Sequence, residues 1–485
     1  MFAEQETLLI GGRNEAAGVG WTDVINPSTE QAAGRIRTAT TDDIDAAVDS
    51  ARVAFDHGAW PRMSWTERGE VILAALDELK LRNEEIATLV TNEMGAPLRH
   101  SVRANIPAAI AMGRSMVRHA EEIKPRTVRP GRVSWALIDR EPVGVVGAIA
   151  PWNGPFYFAI LKSIPALLAG CTVVLKPAVE TPLDAFYLGE ALYRAGLPAG
   201  ALSIVPGDGV IGEHLVRHPG VDKVTFTGST AVGRRVGAIC GSDLKRCSLE
   251  LGGKSAAVVL DDADPEVTVR ALAAGGFFNT GQVCAALTRV LVPRDRQAEI
   301  VERLRAAASA LRVGDALDDE TDVGPLVSAR QRDRVERFVT AAVNEGAQLI
   351  VGGGRPAHLD RGWFVDPTVF AGVTNEMTIA RDEVFGPVVS VLSYDSVDEA
   401  VATANDSPYG LHGAVFSSDV DRAIGVSERL VTGTVSVNGF FLNPDAPFGG
   451  RKASGIGREF GPEGLASFLE YKSINLAEDV GRRYG

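Results

Sequence analysis

Short runs of β-branched residues alternate with helical stretches from about residue 140, and this rhythm restricts the fold more than any other feature. Val145–Ala150, Thr172–Leu175, Leu202–Val205 and Lys223–Phe226 read as strands. Phe158–Ala169, with a kink expected at Pro165, Leu183–Ala195 and Ile211–His218 read as the helices between them. Strands returned to one sheet through helices pair in parallel, so a doubly wound sheet is predicted. A second alternating set begins near residue 255. Its strands are Val290–Val292, Leu349–Val351, Val388–Tyr394, Gly413–Phe416 and Thr434–Val437, and its helices include Gln297–Leu311, Ala329–Glu345 and Val397–Asn405. The expected class is α/β with two such domains. A chain of 485 residues also exceeds what one core organises.

Residues 40 to 120 read as helical. Ser64-Trp65-Thr66-Glu67 has capping-box form, Ile72, Leu76 and Leu79 recur behind it, and Pro97 closes that stretch. Residues 124–135 have strand character around a Pro130-Gly131 turn but no core of their own. They read as a hairpin that must pair with something, another subunit being one candidate.

Net charge is −13, from 49 basic and 62 acidic side chains. An acidic surface repels phosphate backbones and anionic lipid, which argues against nucleic acid and membrane partners. No run is long and apolar enough to span a bilayer, and Met1–Glu6 lacks the basic start of a secretory signal. The cysteines Cys171, Cys240, Cys247 and Cys284 show neither CxxC nor framework spacing, so free thiols in a reducing cytoplasm are expected, with no metal site.

Several turns carry groups with chemistry. Cys284 follows Asn279-Thr280-Gly281-Gln282-Val283, a small, polar stretch that lets the backbone approach a ligand. Glu250 stands 34 positions earlier in Leu249-Glu250-Leu251-Gly252-Gly253-Lys254. A thiol and a carboxylate form a nucleophile and a general base if the fold joins them. Asn153, after the strand Val145–Ala150, suits an oxyanion donor or an Asx turn. Lys176 ends another strand, where it binds ribose or phosphate or stays solvated. Glu383-Val384-Phe385-Gly386-Pro387 offers a carboxylate beside an aromatic ring. Gly207-Asp208-Gly209-Val210-Ile211-Gly212 matches GxGxxG, but position 227 is Thr where the fingerprint needs a ribose-holding acid, so a tight turn is preferred there. Thr227-Gly228-Ser229-Thr230 leads from strand to helix and suits phosphate at a helix N-terminus, or plain turn chemistry.

Taken together these turns resemble the aldehyde dehydrogenase superfamily. The matches run in order through Leu8–Gly12, Ile25–Thr29, Pro151–Asn153, Lys176–Ala178, Phe226–Thr230, Leu249–Lys254, Gly281–Cys284, Glu383–Pro387 and Pro447–Gly455. The resemblance implies a Rossmann-like cofactor-binding domain over 1–123 and 143–252 and a catalytic domain over 253–465. It also implies a small β oligomerisation arm from 124–142 and 466–485, in a homodimer or homotetramer.

By the same resemblance, Cys284 is the nucleophile, Glu250 the general base, and Asn153 with the Cys284 amide the oxyanion hole. Lys162 and Glu459 match positions linked to proton movement. Lys176 lies at the adenosine ribose, Gly228 and Ser229 near the pyrophosphate, Glu383 at the nicotinamide ribose and Phe385 at the nicotinamide. Trp152, Val179, Gly209, Phe226, Leu251 and Gly252 complete the cofactor-facing set. Val179 departs from the pattern, which has Glu there; Glu180 comes one step later. NAD is the expected cofactor, with NADP open. The expected reaction oxidises a small-molecule aldehyde to the acid through a cysteine thiohemiacetal and thioester. Phe158, Leu161, Val283, Phe440 and Phe441 suggest a pocket for an apolar aldehyde. A CoA-acylating relative and a non-catalytic binding relative are the alternatives, and the intact Glu250, Cys284 and Asn153 argue against them.

Overall fold

The computed structural model describes residues 4–15, 18 and 20–484. Met1–Ala3, part of the segment read for a secretory signal, and Gly485 of the C-terminal tail lie outside the described residues. Two mixed α/β layers organise the chain, each around its own sheet.

The first sheet has eight strands. Its parallel centre runs Arg246–Glu250, Lys223–Thr227, Val145–Ile149, Thr172–Lys176 and Leu202–Ile204 across the sheet. Counted along the chain from Val145–Ile149, that is the spatial order 3-2-1-4-5 of a doubly wound fold. The order reverses between Val145–Ile149 and Lys223–Thr227, which pair side by side. Their carboxyl ends therefore diverge into helices on opposite faces and leave a crevice. Gly455–Ile456 closes one edge antiparallel, and Leu8–Ile10 with Arg13–Glu15 outside it closes the other. These central strands are buried on both faces, which is why they read as continuous apolar runs.

The second sheet has seven strands and repeats the same scheme. Ser255–Val259 lies at its centre, flanked by Leu287–Pro293 and His412–Phe416. Two central strands, Arg246–Glu250 and Ser255–Val259, and the shorter Thr368–Ala371 went unnamed in the sequence reading.

The expected helices are present. Helix Pro155–Ala169 begins at Gly154, three residues ahead of its predicted start, and continues through Pro165. The Ser64 capping box forms, with Ser64 Oγ accepting from the Glu67 N–H at 3.2 Å and Glu67 Oε2 from the Ser64 N–H at 2.7 Å. Pro97 does not end the helical region. Asn83–Met94 stops at Gly95, left-handed at φ 86°, and helix resumes beyond Pro97 as far as Glu122.

The hairpin forms from Arg126–Pro130 and Trp135–Pro142. Within the chain its partner is the strand Leu469–Leu476, paired antiparallel from Leu469 against Pro142 to Leu476 against Trp135. Among the described residues no helix is long and apolar enough to cross a membrane.

Candidate active site

Cys284, Glu250 and Asn153 line one cleft of about 530 Å³, together with Trp152, Gly228, Ser229, Leu251, Gly252, Glu383 and Phe385. Trp152 and Asn153 follow one strand of the crevice and Gly228 follows the other, so the cleft opens at the point where the strand order reverses. A second cleft of about 650 Å³ shares Trp152, Thr227, Gly228, Val232 and Arg330 with it. It extends the same groove over Lys176, Val179, Glu180, Gly209, Gly212 and Phe226. The turn Gly207–Gly212, preferred above as plain turn chemistry, thus also faces the groove. Asp208 caps the helix that begins there, accepting from the Val210 N–H at 2.9 Å.

The loop carrying Cys284 is wound tightly. Asn279, Thr280 and Gly281 hold φ of 53°, 57° and 67° in succession. A β-branched residue in that region is strained, and such strain persists only where the surroundings fix it. Here Thr280 Oγ1 donates to Gly324 O at 3.1 Å and Gln282 Oε1 accepts from the Val327 N–H at 3.0 Å. Gly281 lies so close to Gly386 that a Cβ would stand 2.1 Å from its carbonyl oxygen. The cysteine loop and the Glu383–Pro387 turn therefore back directly onto each other. Asn153 is tied to the same loop: its Nδ2 donates to Gln282 O at 2.9 Å, and Asn279 Nδ2 donates to Asn153 O at 2.8 Å.

Electrostatics set the protonation states. Burial pushes the Cys284 thiol up to about 12, and the carboxylates of Glu383, Glu250 and Glu459 add to the rise. Glu250 is raised well above the usual carboxylate range, by burial first and by the charge of Glu459 second. Both of its oxygens are buried without a hydrogen-bond partner. Lys162, fully buried, is ion-paired with Glu459 and donates to Thr225 Oγ1 at 3.1 Å. This pair lies near enough to act on Glu250. Burial raises Glu383 to about 7 against the pull of the Gly253 N–H, which it accepts at 3.0 Å. Burial also lowers Lys176 to about 8, opposed by Glu180 and Asp208.

Close packing shapes the groove. A Cβ on Gly228 would stand 2.6 Å from the Phe226 ring, and one on Gly252 2.3 Å from the Glu383 carboxylate. Phe385 (φ 60°) meets Trp152 edge-on at 5.2 Å. Ser229 caps helix Thr230–Ser242, whose first turn holds no acid.

The aromatic residues proposed for a pocket divide. Phe158 packs edge-on against Tyr157 at 5.8 Å, and Tyr157 against Phe460 at 6.2 Å. Cys284, Tyr157 and Phe158 all pack against the core cluster that contains Phe460. Val283, next to Cys284, is half-buried, and Leu161 lines a separate small cavity with Glu459 and Phe460. Phe440 turns away to meet His412 at 5.8 Å, and Phe441 is 62 % exposed. Neither lines the groove.

Three arginines escaped the sequence reading. Arg330, Arg334 and Arg337 of helix Ala329–Asn344 line the cleft opposite Ser229. Their i, i+4, i+7 spacing puts them on one helix face, a signal present in the sequence. Arg334 donates to Glu383 O at 2.5 Å and Arg330 pairs with Glu180 at 3.1 Å.

Known proteins share this arrangement. The model of the aldehyde dehydrogenase family matches residues 15–474. Geranial dehydrogenase from Castellaniella defragrans is 44% identical over 478 residues, spanning 98% of this chain and 100% of that protein. The structure of a Mycobacterium tuberculosis aldehyde dehydrogenase complexed with NAD+ superposes with a TM-score of 0.96 at 44% identity, over 97% of this chain and 98% of that one. A Bacillus cereus aldehyde dehydrogenase in its NAD+ complex gives 0.95 at 38% identity, over 98% and 97%. With the match extending through both sheets and every turn of the cleft, the chain belongs to the aldehyde dehydrogenase family.

Proposed function

We propose that this chain oxidises an apolar aldehyde to the carboxylic acid through a thioester on Cys284, with NAD as cofactor. The observation that carries the reading is the meeting of Cys284, Glu250 and Asn153 in the cleft that also holds Glu383 and Phe385. The groove's residues fit a dinucleotide. Gly228 and Gly252 admit no Cβ, helix Thr230–Ser242 aims its N-terminus at the groove, and Arg330, Arg334 and Arg337 face it. Helix N-termini and guanidinium groups both favour phosphate. Lys176 would hold the adenosine ribose, with Val179, Gly209 and Phe226 beside it. Gly228 and Ser229 would hold the pyrophosphate, and Glu383 and Phe385 the nicotinamide half against Trp152, Leu251 and Gly252. Glu180 and Asp208 put negative charge beside Lys176, where a 2′-phosphate would be repelled, so NAD is favoured over NADP. When bound, NAD supplies the hydride acceptor.

The chain's own residues do the rest. Glu250, with both oxygens unpartnered, takes the proton that burial otherwise keeps on Cys284. The thiolate forms the S–C bond and the carbonyl electron pair moves to oxygen, where the Asn153 amide and the Cys284 N–H donate to it. Loss of hydride from that carbon restores C=O and leaves the thioester. Glu250 then takes a proton from water, the water oxygen attacks, and the S–C bond breaks to release the acid. A positioned base contributes on the order of 10²–10⁴-fold. The Lys162–Glu459 pair beside Glu250 carries the proton onward.

The stack of Phe158, Tyr157 and Phe460 adjoins the core cluster against which Cys284 packs, and supports an apolar substrate. The similarity to a geranial dehydrogenase points the same way. We assign cofactor binding to 1–123 and 143–252, catalysis to 253–465, and subunit contact to the three-stranded arm, in a cytoplasmic homo-oligomer. The test is pre-steady-state. Cys284→Ala is expected to abolish NADH formation, and Glu250→Gln, which leaves thiol deprotonation to solvent, to give one slowed burst of NADH and then stall. Normal turnover by Cys284→Ala overturns the mechanism, and preference for succinate semialdehyde over apolar aldehydes overturns the pocket.

A further inference from the structure

Three positions of helix Thr230–Ser242 meet three of the segment that runs on from strand Arg246–Glu250. A Cβ on Gly233 would lie 2.3 Å from Leu251, and one on Gly237 3.2 Å from Leu249. The helix positions 233, 237 and 240 share one face, as do the alternating positions 251, 249 and 247 of the facing segment. The ladder's next rung is therefore Cys240 opposite Cys247. Cys240 belongs to the apolar cluster between helix and sheet, and Cys247 packs against it half-buried. The two side chains thus face each other between the helix and the sheet.

We propose that Cys240 and Cys247 form a second thiol site, separate from Cys284, which a peroxide closes to an intramolecular disulfide. The four cysteines are not equivalent. Burial pushes Cys171 up to about 11 and Cys284 up to about 12. Cys247 alone is lowered, to about 7, by the neighbouring Cys240 thiol and, against the effect of burial, by the charge of Lys223 on the neighbouring strand. The thiolate is the reactive form, so in the free protein the thiol most open to peroxide is Cys247 rather than the proposed nucleophile.

The reaction balances as follows. The Cys247 thiolate attacks one peroxide oxygen, the O–O bond breaks, and hydroxide leaves as water, giving a sulfenic acid. The Cys240 sulfur loses its proton and attacks that sulfur, the S–O bond breaks, and a second water leaves. The dithiol is oxidised by two electrons and the peroxide reduced. A cytoplasmic disulfide of this kind would be transient and redox-sensing rather than structural. It would tie the far end of the helix capped by Ser229 to the strand that ends in Glu250.

The test uses the full-length chain carrying Cys284→Ser, so that the cleft thiol cannot contribute. The reduced protein is treated with hydrogen peroxide, alkylated under denaturing conditions, and mapped without reduction. The expected result is loss of two alkylatable thiols and a cross-linked peptide joining Cys240 to Cys247, reversed by dithiothreitol. That peptide should be absent from the same protein carrying Cys247→Ser or Cys240→Ala. Full alkylation after peroxide, or accumulation of sulfinic acid on Cys247 without the cross-link, overturns the proposal. With Cys284 intact, Cys247→Ser should keep the parent's kcat and KM, which places the pair outside the catalytic machinery.

Discussion

Glu383 reaches both halves of the site: its carboxylate accepts from Gly253, beside the strand that ends in Glu250, and its own turn backs onto the cysteine loop. In the role proposed for it at the nicotinamide ribose, its elevation to about 7 makes cofactor binding pH-dependent. The carboxylate is the form that accepts ribose hydroxyls, and protonation grows as pH falls through that value. NAD affinity is therefore expected to weaken on going from pH 8 to pH 6, approaching about tenfold per unit on the acid side. Fluorescence titration of NAD reads this directly, and Glu383→Gln should flatten the profile while weakening binding at pH 8. In the proposed mechanism Asn153 serves the oxyanion, and its amide also donates to Gln282 O of the cysteine loop. Asn153→Ala is expected to lower kcat by roughly 10²–10³-fold with much smaller change in NAD affinity, checked by steady-state kinetics. At this scale the thiol, carboxylate and amide that meet in the cleft each read two ways alone, and only their ordered set, through its resemblance to a family, singled them out. Phe440 and Phe441 were not legible, since an apolar loop reads alike whether it lines a pocket, packs on His412 or faces solvent.

Between elements, contacts separate in sequence dominate. Glu93, near the end of helix Asn83–Met94, accepts from the Leu183 N–H at 2.8 Å, beside the start of helix Asp184–Arg194. Asp184 is fully buried there, with neither carboxyl oxygen partnered. Burial raises both carboxyls well above their usual range, and Asp184 adds to the rise at Glu93. In the unfolded chain both ionise at ordinary carboxylate pH, so the folded chain binds more protons and loses stability as pH rises through the raised values. Asp184→Asn, a neutral isostere, is expected to melt at a higher temperature than the parent at pH 8, with the difference closing at pH 5. Differential scanning fluorimetry at both pH values checks it. The same scale explains what the sequence withheld. Arg246–Glu250 escaped notice because Arg, Ser and Glu interrupt its apolar run, and the site needs Glu250 there. The stripe Arg330, Arg334 and Arg337 has the spacing of any solvated helix face, and only the approach of Ser229 and Gly252 gives it a role.

The described residues form two large sheets of the same winding, a three-stranded sheet of Glu4–Gln5, Gln31–Arg37 and Trp21–Asn26, and the arm. The alternation of strand and helix made the winding readable, because each βαβ unit is local in sequence. The arm was only half readable: the Pro130-Gly131 turn marks the hairpin, but nothing local marks its partner more than 300 residues later. On one outer edge of this sheet, strand Leu469–Leu476 leaves Tyr471 60 % and Ile474 37 % exposed. If the arm joins subunits, a chain ending at Phe468 should show monomer mass by light scattering where the full chain shows an oligomer. An unchanged mass would assign subunit contact elsewhere.

That long-range pairing also sets a schedule. A ribosome adding about 5–20 residues per second releases Trp135–Pro142 well before Leu469–Leu476 exists, a gap of roughly 15 to 65 s for the intervening stretch. Throughout it the nascent hairpin offers an open strand edge to other chains in the polysome. Lys124, Arg126, Arg129, Arg132 and Arg140 outnumber Asp139 and Glu141 in that segment, and the positive excess on each copy opposes the zipping of two such edges. The arm is thus guarded during synthesis by the side chains that leave it without a core of its own.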